Sequence, residues 1–151
     1  ISGNAQISGD ALISGSALIS GDALISGDAL ISGSALISGN AQISGDARIF
    51  GNAQISGDAQ IFGNAWISGS ARIYGDRLIF WASKVGTENG TLTVYNTNDN
   101  TLEVTRGCFR GSVDEFLSAS ESKHDEQTHL EYRLLIEVAH SRITRAQKDE
   151  K

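Results

Sequence analysis

The chain has 151 residues, a formal net charge of −6 and a single Cys, Cys108. The acidic balance speaks against a nucleic-acid partner, which would require a basic face, and one Cys cannot close an internal disulfide. No apolar run reaches the ~20 residues of a membrane-spanning helix, so no membrane partner is expected either. The sequence lacks Met and opens in phase with a repeat, so further repeats are expected ahead of Ile1.

Residues 1–78 read as thirteen consecutive hexapeptides, beginning ISGNAQ-ISGDAL-ISGSAL. Ile opens each one from Ile1 to Ile73, Gly holds the third place throughout, and Ala holds the fifth in the first twelve. A period of six fits neither a helix nor a free strand alternation. It fits a short strand and a tight corner repeated as a solenoid. Strand side chains alternate, so Ile and Ala point inward while the sixth residue and Ser point outward. Gly followed by Asn, Asp or Ser suits the corner. At the fourth place Ser16, Ser34, Asn52 and Ser70 are eighteen residues apart, as are Asp10, Asp28 and Asp46. Three hexapeptides therefore make one coil of triangular section, with Ile7, Ile25, Ile43 and Ile61 expected in one interior column.

This pattern resembles the left-handed β-helix of hexapeptide-repeat proteins, in which an aliphatic residue is followed four places later by a small one. The resemblance covers about half the chain and implies the left hand, against the usual right-handed preference of parallel crossovers. Many such proteins are acyltransferases or γ-type carbonic anhydrases, which depend on His residues projecting from the coils or from inserted loops. Residues 1–78 contain neither His nor insertion; His124, His129 and His140 all lie beyond them. Catalysis is therefore not expected to carry over, and no cofactor or metal is implied.

The outward sixth place is Leu at Leu12, Leu18, Leu24, Leu30 and Leu36, then polar at Gln42, Arg48, Gln54 and Gln60. A cluster of outward Leu on the early coils is a candidate self-association surface. Aromatics enter later: Phe50, Phe62, Trp66, Tyr74, Phe80 and Trp81. Phe62, Trp66 and Phe80 are expected on one face, as the seat for the C-terminal region.

The repeat breaks at Arg77, in place of the inward Ala, and at Trp81, in place of the corner Gly. Residues 79–146 read as a small βββαα module, and 147–151 as a frayed tail. Leu78–Val85, Thr91–Asn96 and Thr101–Arg106 are strand-like and form a three-stranded antiparallel meander, with a hairpin signal at Glu88-Asn89-Gly90-Thr91. Ser112-Val-Asp-Glu115 is a capping box opening a first helix. A second helix opens between Asp125 and Thr128, with Thr128–Glu131 another candidate box. Its apolar stripe is Leu130, Leu134, Val138 and Leu135, and Leu130, Leu134 or Val138 is expected to cover Phe62, Trp66 and Phe80, with Trp81 in the same inter-module packing. The stretch TLEVTRGCFRGSVDEF, with His124 and EYRLLIEVA, looks like a small module of uncharacterised phage and prophage proteins. That likeness implies a phage origin, with the host cytoplasm or the virion as location, and no known activity.

Weaker signals remain. Arg106, Arg110 and Ser112 precede a helix N-terminus and form a candidate anion site. His124, Asp125, His129 and His140 match no metal-binding spacing, and Cys108 reads as a small buried thiol. The stacked Asp10, Asp28 and Asp46 read as exposed, solvent-screened carboxylates. The sequence thus predicts a mainly β chain: a triangular left-handed parallel β-helix followed by a small α/β module. Its expected role is non-catalytic, either as a structural or assembly protein whose partner is itself, as a trimer or end to end, or as an inhibitor or decoy of a host protein. A hexapeptide-repeat acyltransferase is the third reading, disfavoured by the missing His.

Overall fold

The computed structural model describes residues 2–85, 90–106 and 109–149. The hexapeptides give two-residue strands, each made of the outward residue and the following Ile. They are β1 Gln6–Ile7, β2 Leu12–Ile13, β3 Leu18–Ile19, β4 Leu24–Ile25, β5 Leu30–Ile31 and β6 Leu36–Ile37. The second half adds β7 Gln42–Ile43, β8 Arg48–Ile49, β9 Gln54–Ile55, β10 Gln60–Ile61, β11 Trp66–Ile67 and β12 Arg72–Ile73. They sort into three parallel sheets of four, β1-β4-β7-β10, β2-β5-β8-β11 and β3-β6-β9-β12. Ile7 pairs with Ile25, Ile25 with Ile43 and Ile43 with Ile61, so the column expected from the eighteen-residue spacing is present.

Each coil hangs on the next by backbone alone. Asp10 N donates to Gly27 O at 2.9 Å and Asp28 N to Gly45 O at 3.0 Å, and this step recurs along the solenoid. From Ile19 upward the inward Ile and Ala are essentially inaccessible, whereas Ile7 and Ile13 are half-buried. The corner needs Gly for two reasons. Gly27 has φ +69°, and a Cβ built there would stand 2.9 Å from Gly45 N. Gly63 has φ +62°, but its Cβ would meet only Trp81 Nε1 at 3.5 Å.

At Gly75 the φ is −172°, so the corner fails, and a short 3-10 turn over Asp76–Leu78 leads out of the solenoid. Four strands come next: β13 Ile79–Val85, β14 Gly90–Asn96, β15 Leu102–Arg106 and β16 Phe109–Ser112. They form one antiparallel sheet in chain order. The expected meander of three strands is thus corrected to four. Phe-Arg-Gly-Ser carries no strand signature of its own, and it pairs because β15 offers an open edge. The hairpin signal at Glu88-Asn89 lies outside the described residues.

Helix α1, Val113–Lys123, opens on the expected box: Glu115 N donates to Ser112 Oγ at 3.1 Å and Ser112 N to Glu115 Oε1 at 2.9 Å. Helix α2 spans Glu126–Asp149. Its cap is Asp125, whose Oδ1 accepts from Thr128 N at 2.8 Å, so Thr128 is capped and is not itself the cap. The face it buries is Tyr132, Ile136, Ala139, Ile143 and Ala146. Most of the expected stripe is on the wrong side: Leu130, Leu134 and Val138 are 41, 50 and 48 % exposed, and only Leu135 packs partly buried against the core. A strict four-residue spacing drifts around a helix of 3.6 residues per turn. The alternating steps of four and three from Tyr132 to Ala146 hold one face for the whole length. The helix runs on to Asp149, and Gln147 Nε2 donates to Asn96 Oδ1 at 2.7 Å and to Asn100 O at 3.0 Å.

The sheet lies between the last coil and the helices. Leu92, Val94 and Val104 face the helices together with Phe116, and Phe116 meets Tyr132 edge-on at 5.2 Å. Thr93, Tyr95 and Thr105 face the solenoid. There they replace the missing next coil. Trp66 N donates to Thr93 Oγ1 at 3.2 Å, and Thr105 Oγ1 donates to Trp66 O at 2.6 Å. Ser68 N donates to the Tyr95 hydroxyl at 3.2 Å. That hydroxyl carries one proton, facing Ser68 O at 3.0 Å and Glu103 Oε2 at 2.6 Å. Asn96 Nδ2 donates to Arg72 O and Asn98 N to Ser70 O, each at 2.9 Å.

The two kinds of corner can be told apart by experiment. Left-handed backbone disfavours an L side chain by roughly 1–2 kcal/mol, which is all that Gly63→Ala should lose. Gly27→Ala should lose more, since its Cβ also pushes two coils apart, and urea unfolding midpoints of the two variants give the comparison. The closing sheet is tested at Tyr95. Burial first, and then Glu103, push its phenol well above the usual value. A raised folded value means that its contribution is fully present below about pH 10 and lost as pH climbs further. Tyr95→Phe should destabilise by about 1–3 kcal/mol by orphaning Ser68 N and Ser68 O. It should also lack the wild-type loss of stability above pH 10, as read by melts across that range.

Candidate functional site: the outward faces of the solenoid

Strand pairing sets the outward residues in three columns. One is Gln6, Leu24, Gln42, Gln60; the second is Leu12, Leu30, Arg48, Trp66; the third is Leu18, Leu36, Gln54, Arg72. The five Leu therefore occupy all three sheets, as two stacked pairs and one single residue between glutamines. Leu12, Leu18, Leu24 and Leu36 are 61, 51, 38 and 37 % exposed, and Leu30 is half-buried.

The second column is the most continuous apolar face. Above Leu12 and Leu30, the Arg48 guanidinium lies 5.5 Å from the centre of the Trp66 ring. Phe50 tilts against the same ring at 5.6 Å. The Arg thus spends its charge on an indole face, and its stem extends the apolar surface. Trp66 belongs to this sheet and not to that of Phe62, because the corner Gly63-Asn64 separates them. The expected single face of Phe62, Trp66 and Phe80 is corrected accordingly. Phe62 instead meets Trp81 edge-on at 6.2 Å, while Phe80, one residue before Trp81, faces the other side of the sheet. The strands that bond the backbone beside Trp66 are β14 and β15, where the sequence points to helices.

Other signalled residues separate in space. Arg106 pairs with Phe109 and Arg110 with Thr105 on adjacent rungs, which puts the two Arg on opposite faces of the sheet. Arg106 lies over the Tyr132 ring at 5.7 Å, and Arg110 Nε is 3.5 Å from Glu103 Oε1. Ser112 is engaged by Glu115. The three do not converge on one anion. His129 Nδ1 is 3.0 Å from Ser120 Oγ, His124 tilts over Tyr132 at 5.5 Å, and His140 is exposed on α2. Among the described residues no group of three His, Cys, Asp or Glu is placed to hold a metal ion. Cys108 lies outside the described residues. Asp10, Asp28 and Asp46 are exposed on one corner. No described helix is long and apolar enough to cross a membrane.

The residues that close the solenoid, Thr93, Tyr95, Asn96 and Thr105, are not singled out by the sequence reading. Their signal is present in β14, where Thr93 and Tyr95 alternate with Leu92 and Val94 and both faces are buried.

The chain matches the family described as the YdcK beta-solenoid repeat at residues 5–21, 41–57, 53–69 and 59–75. No curated protein and no solved structure matches the chain. All family matches end before the sheet begins, so the likeness of residues 79–146 to a phage module gains no support from them.

The two helix caps carry a pH dependence. Hydrogen bonds from Ser112 N hold the Glu115 carboxyl below its usual value, and Thr128 N does the same for Asp125. A depressed folded value gives stability that is present above about pH 4 and lost as pH falls through the folded value. Helical circular dichroism should therefore decline below pH 4, and Glu115→Gln with Asp125→Asn should remove that acid-dependent part.

Proposed function

We propose that this is a non-catalytic structural or assembly protein whose solenoid is a self-association surface. The observation that carries the reading is the exposed Leu on the first two coils. Equivalent positions higher up are Gln or Arg, apart from Trp66, whose ring is covered by Arg48 and Phe50, and the backbone ladder is indifferent to what stands there. Burying an exposed Leu is worth up to roughly 1.5–3 kcal/mol, so stacked pairs on a rigid sheet give a usable contact. Closed symmetry would hide such faces without fibre growth. A phage setting for the assembly rests on the likeness of residues 79–146 alone.

Replacing Leu12, Leu18, Leu24, Leu30 and Leu36 by Gln uses a residue already present at Gln42, Gln54 and Gln60. The interior is untouched, so melting should change little. Sedimentation should show self-association weakened by at least about tenfold. A variant that assembles like the wild type defeats the reading.

A further inference from the structure

Helix α2 has a second face that the fold does not use. Opposite the buried row from Tyr132 to Ala146, Leu130, Leu134 and Val138 form an exposed apolar stripe. Charges flank this stripe in a polar order along the helix. Glu126, Glu131 and Glu137 occupy its first part, and Arg142, Arg145 and Lys148 its last. Glu137, at the middle, has Arg133 one turn before it on the same side.

We infer that this face is the seat of a second copy of the same chain, with the two α2 helices packed antiparallel about a two-fold axis. Setting Leu134 against Val138 of the second copy brings Glu131 close to the level of Arg142, and Glu126 close to that of Arg145, of that copy. The two-fold axis repeats each pairing at the other end. A parallel arrangement sets Glu over Glu and Arg over Arg, which costs free energy for like charges at close range. The reversal of charge about the Leu134–Val138 centre is what a self-complementary surface requires. An unrelated partner imposes no such symmetry. The contact is distinct from the solenoid faces and does not depend on their Leu.

The test uses the full chain in sedimentation velocity. One variant, Arg142→Glu with Arg145→Glu, reverses the charge of the last part of the face; another, Glu131→Lys with Glu137→Lys, reverses that of the first part. Each alone should associate at least about tenfold more weakly than the wild type. An equimolar mixture should recover association as a mixed pair, because opposite faces then meet. A wild-type chain that stays monomeric at about 100 μM, where a complex of Kd ~10 μM would be mostly dimer, overturns the inference. So does either variant associating as the wild type does, or a folded mixture that fails to recover. Should a charge variant misfold, Leu134→Gln with Val138→Gln takes its place: association lost at an unchanged melting temperature supports the pairing, and association retained overturns it. The solenoid variant with its five Leu replaced separates the two surfaces. If it abolishes association while the α2 variants do not, this inference fails and the solenoid reading stands; the reverse result leaves the helix pairing standing alone.

Discussion

A parallel solenoid cannot end without a chemical solution. Each coil satisfies the backbone of the one before it, so the last coil presents N–H and C=O groups in a row with no successor. Here the successor is β14 with the neighbouring strand β15, acting through side chains. Thr93 and Tyr95 are two residues apart, as are Trp66 and Ser68, so the pleat of the sheet matches the pleat of the coil edge. The backbone of β14 is already committed to β13 on one side and β15 on the other. Within β14 side chains are left to reach the coil, and hydroxyls and an amide are the groups that both donate and accept; just past the strand the backbone takes over, with Asn98 N donating to Ser70 O. That is why the buried part of β14 carries Thr93, Tyr95 and Asn96 beside Leu92 and Val94. Left unpartnered, each of these polar groups would be costly in such a dry place.

The same constraint divides the sheet into two chemistries. Its solenoid side carries the hydrogen-bonding Thr93, Tyr95 and Thr105, with Ile79 and Trp81 beside them; on its helix side Leu92, Val94 and Val104 are buried in one core with Tyr132, Ile136 and Ala139. Glu103 fits this division. It sits beside the Tyr95 hydroxyl, which lacks charge, and within reach of Arg110, which supplies the opposite one. A carboxylate near a coil end is tolerable only with both.

The solenoid was legible because its period is short, exact in phase, and tied to backbone geometry at every Gly. The eighteen-residue spacing of Ser16, Ser34, Asn52 and Ser70 was enough to set which residues stack. The rest was harder for definable reasons. The fourth strand pairs through an open edge, which no local pattern of Phe-Arg-Gly-Ser reports. The buried face of α2 depends on Tyr132 and on Ala and Ile positions that a search for Leu and Val overlooks. Its visible aliphatic stripe was real but belonged to the outside. Arg106, Arg110 and Ser112 are neighbours in sequence, and the pairing of Arg106 with Phe109 and of Thr105 with Arg110 divides the two Arg between faces.

In this architecture the interior and the exterior are uncoupled. Ile and Ala alone fill the coils, and the ladder is backbone, so an outward residue can change without touching what holds the fold. Stability therefore places little pressure on positions such as Leu12 or Leu18, and their apolar character is not explained by the packing of their own chain. In α2 the situation is similar but stricter. A helix that already buries one face on a sheet gains nothing from a second apolar stripe, and each exposed Leu there raises the tendency to associate without adding stability. The fold leaves such residues without an internal reason, on the early coils and along the outer side of α2, and the two proposed contacts between copies of the chain would supply one.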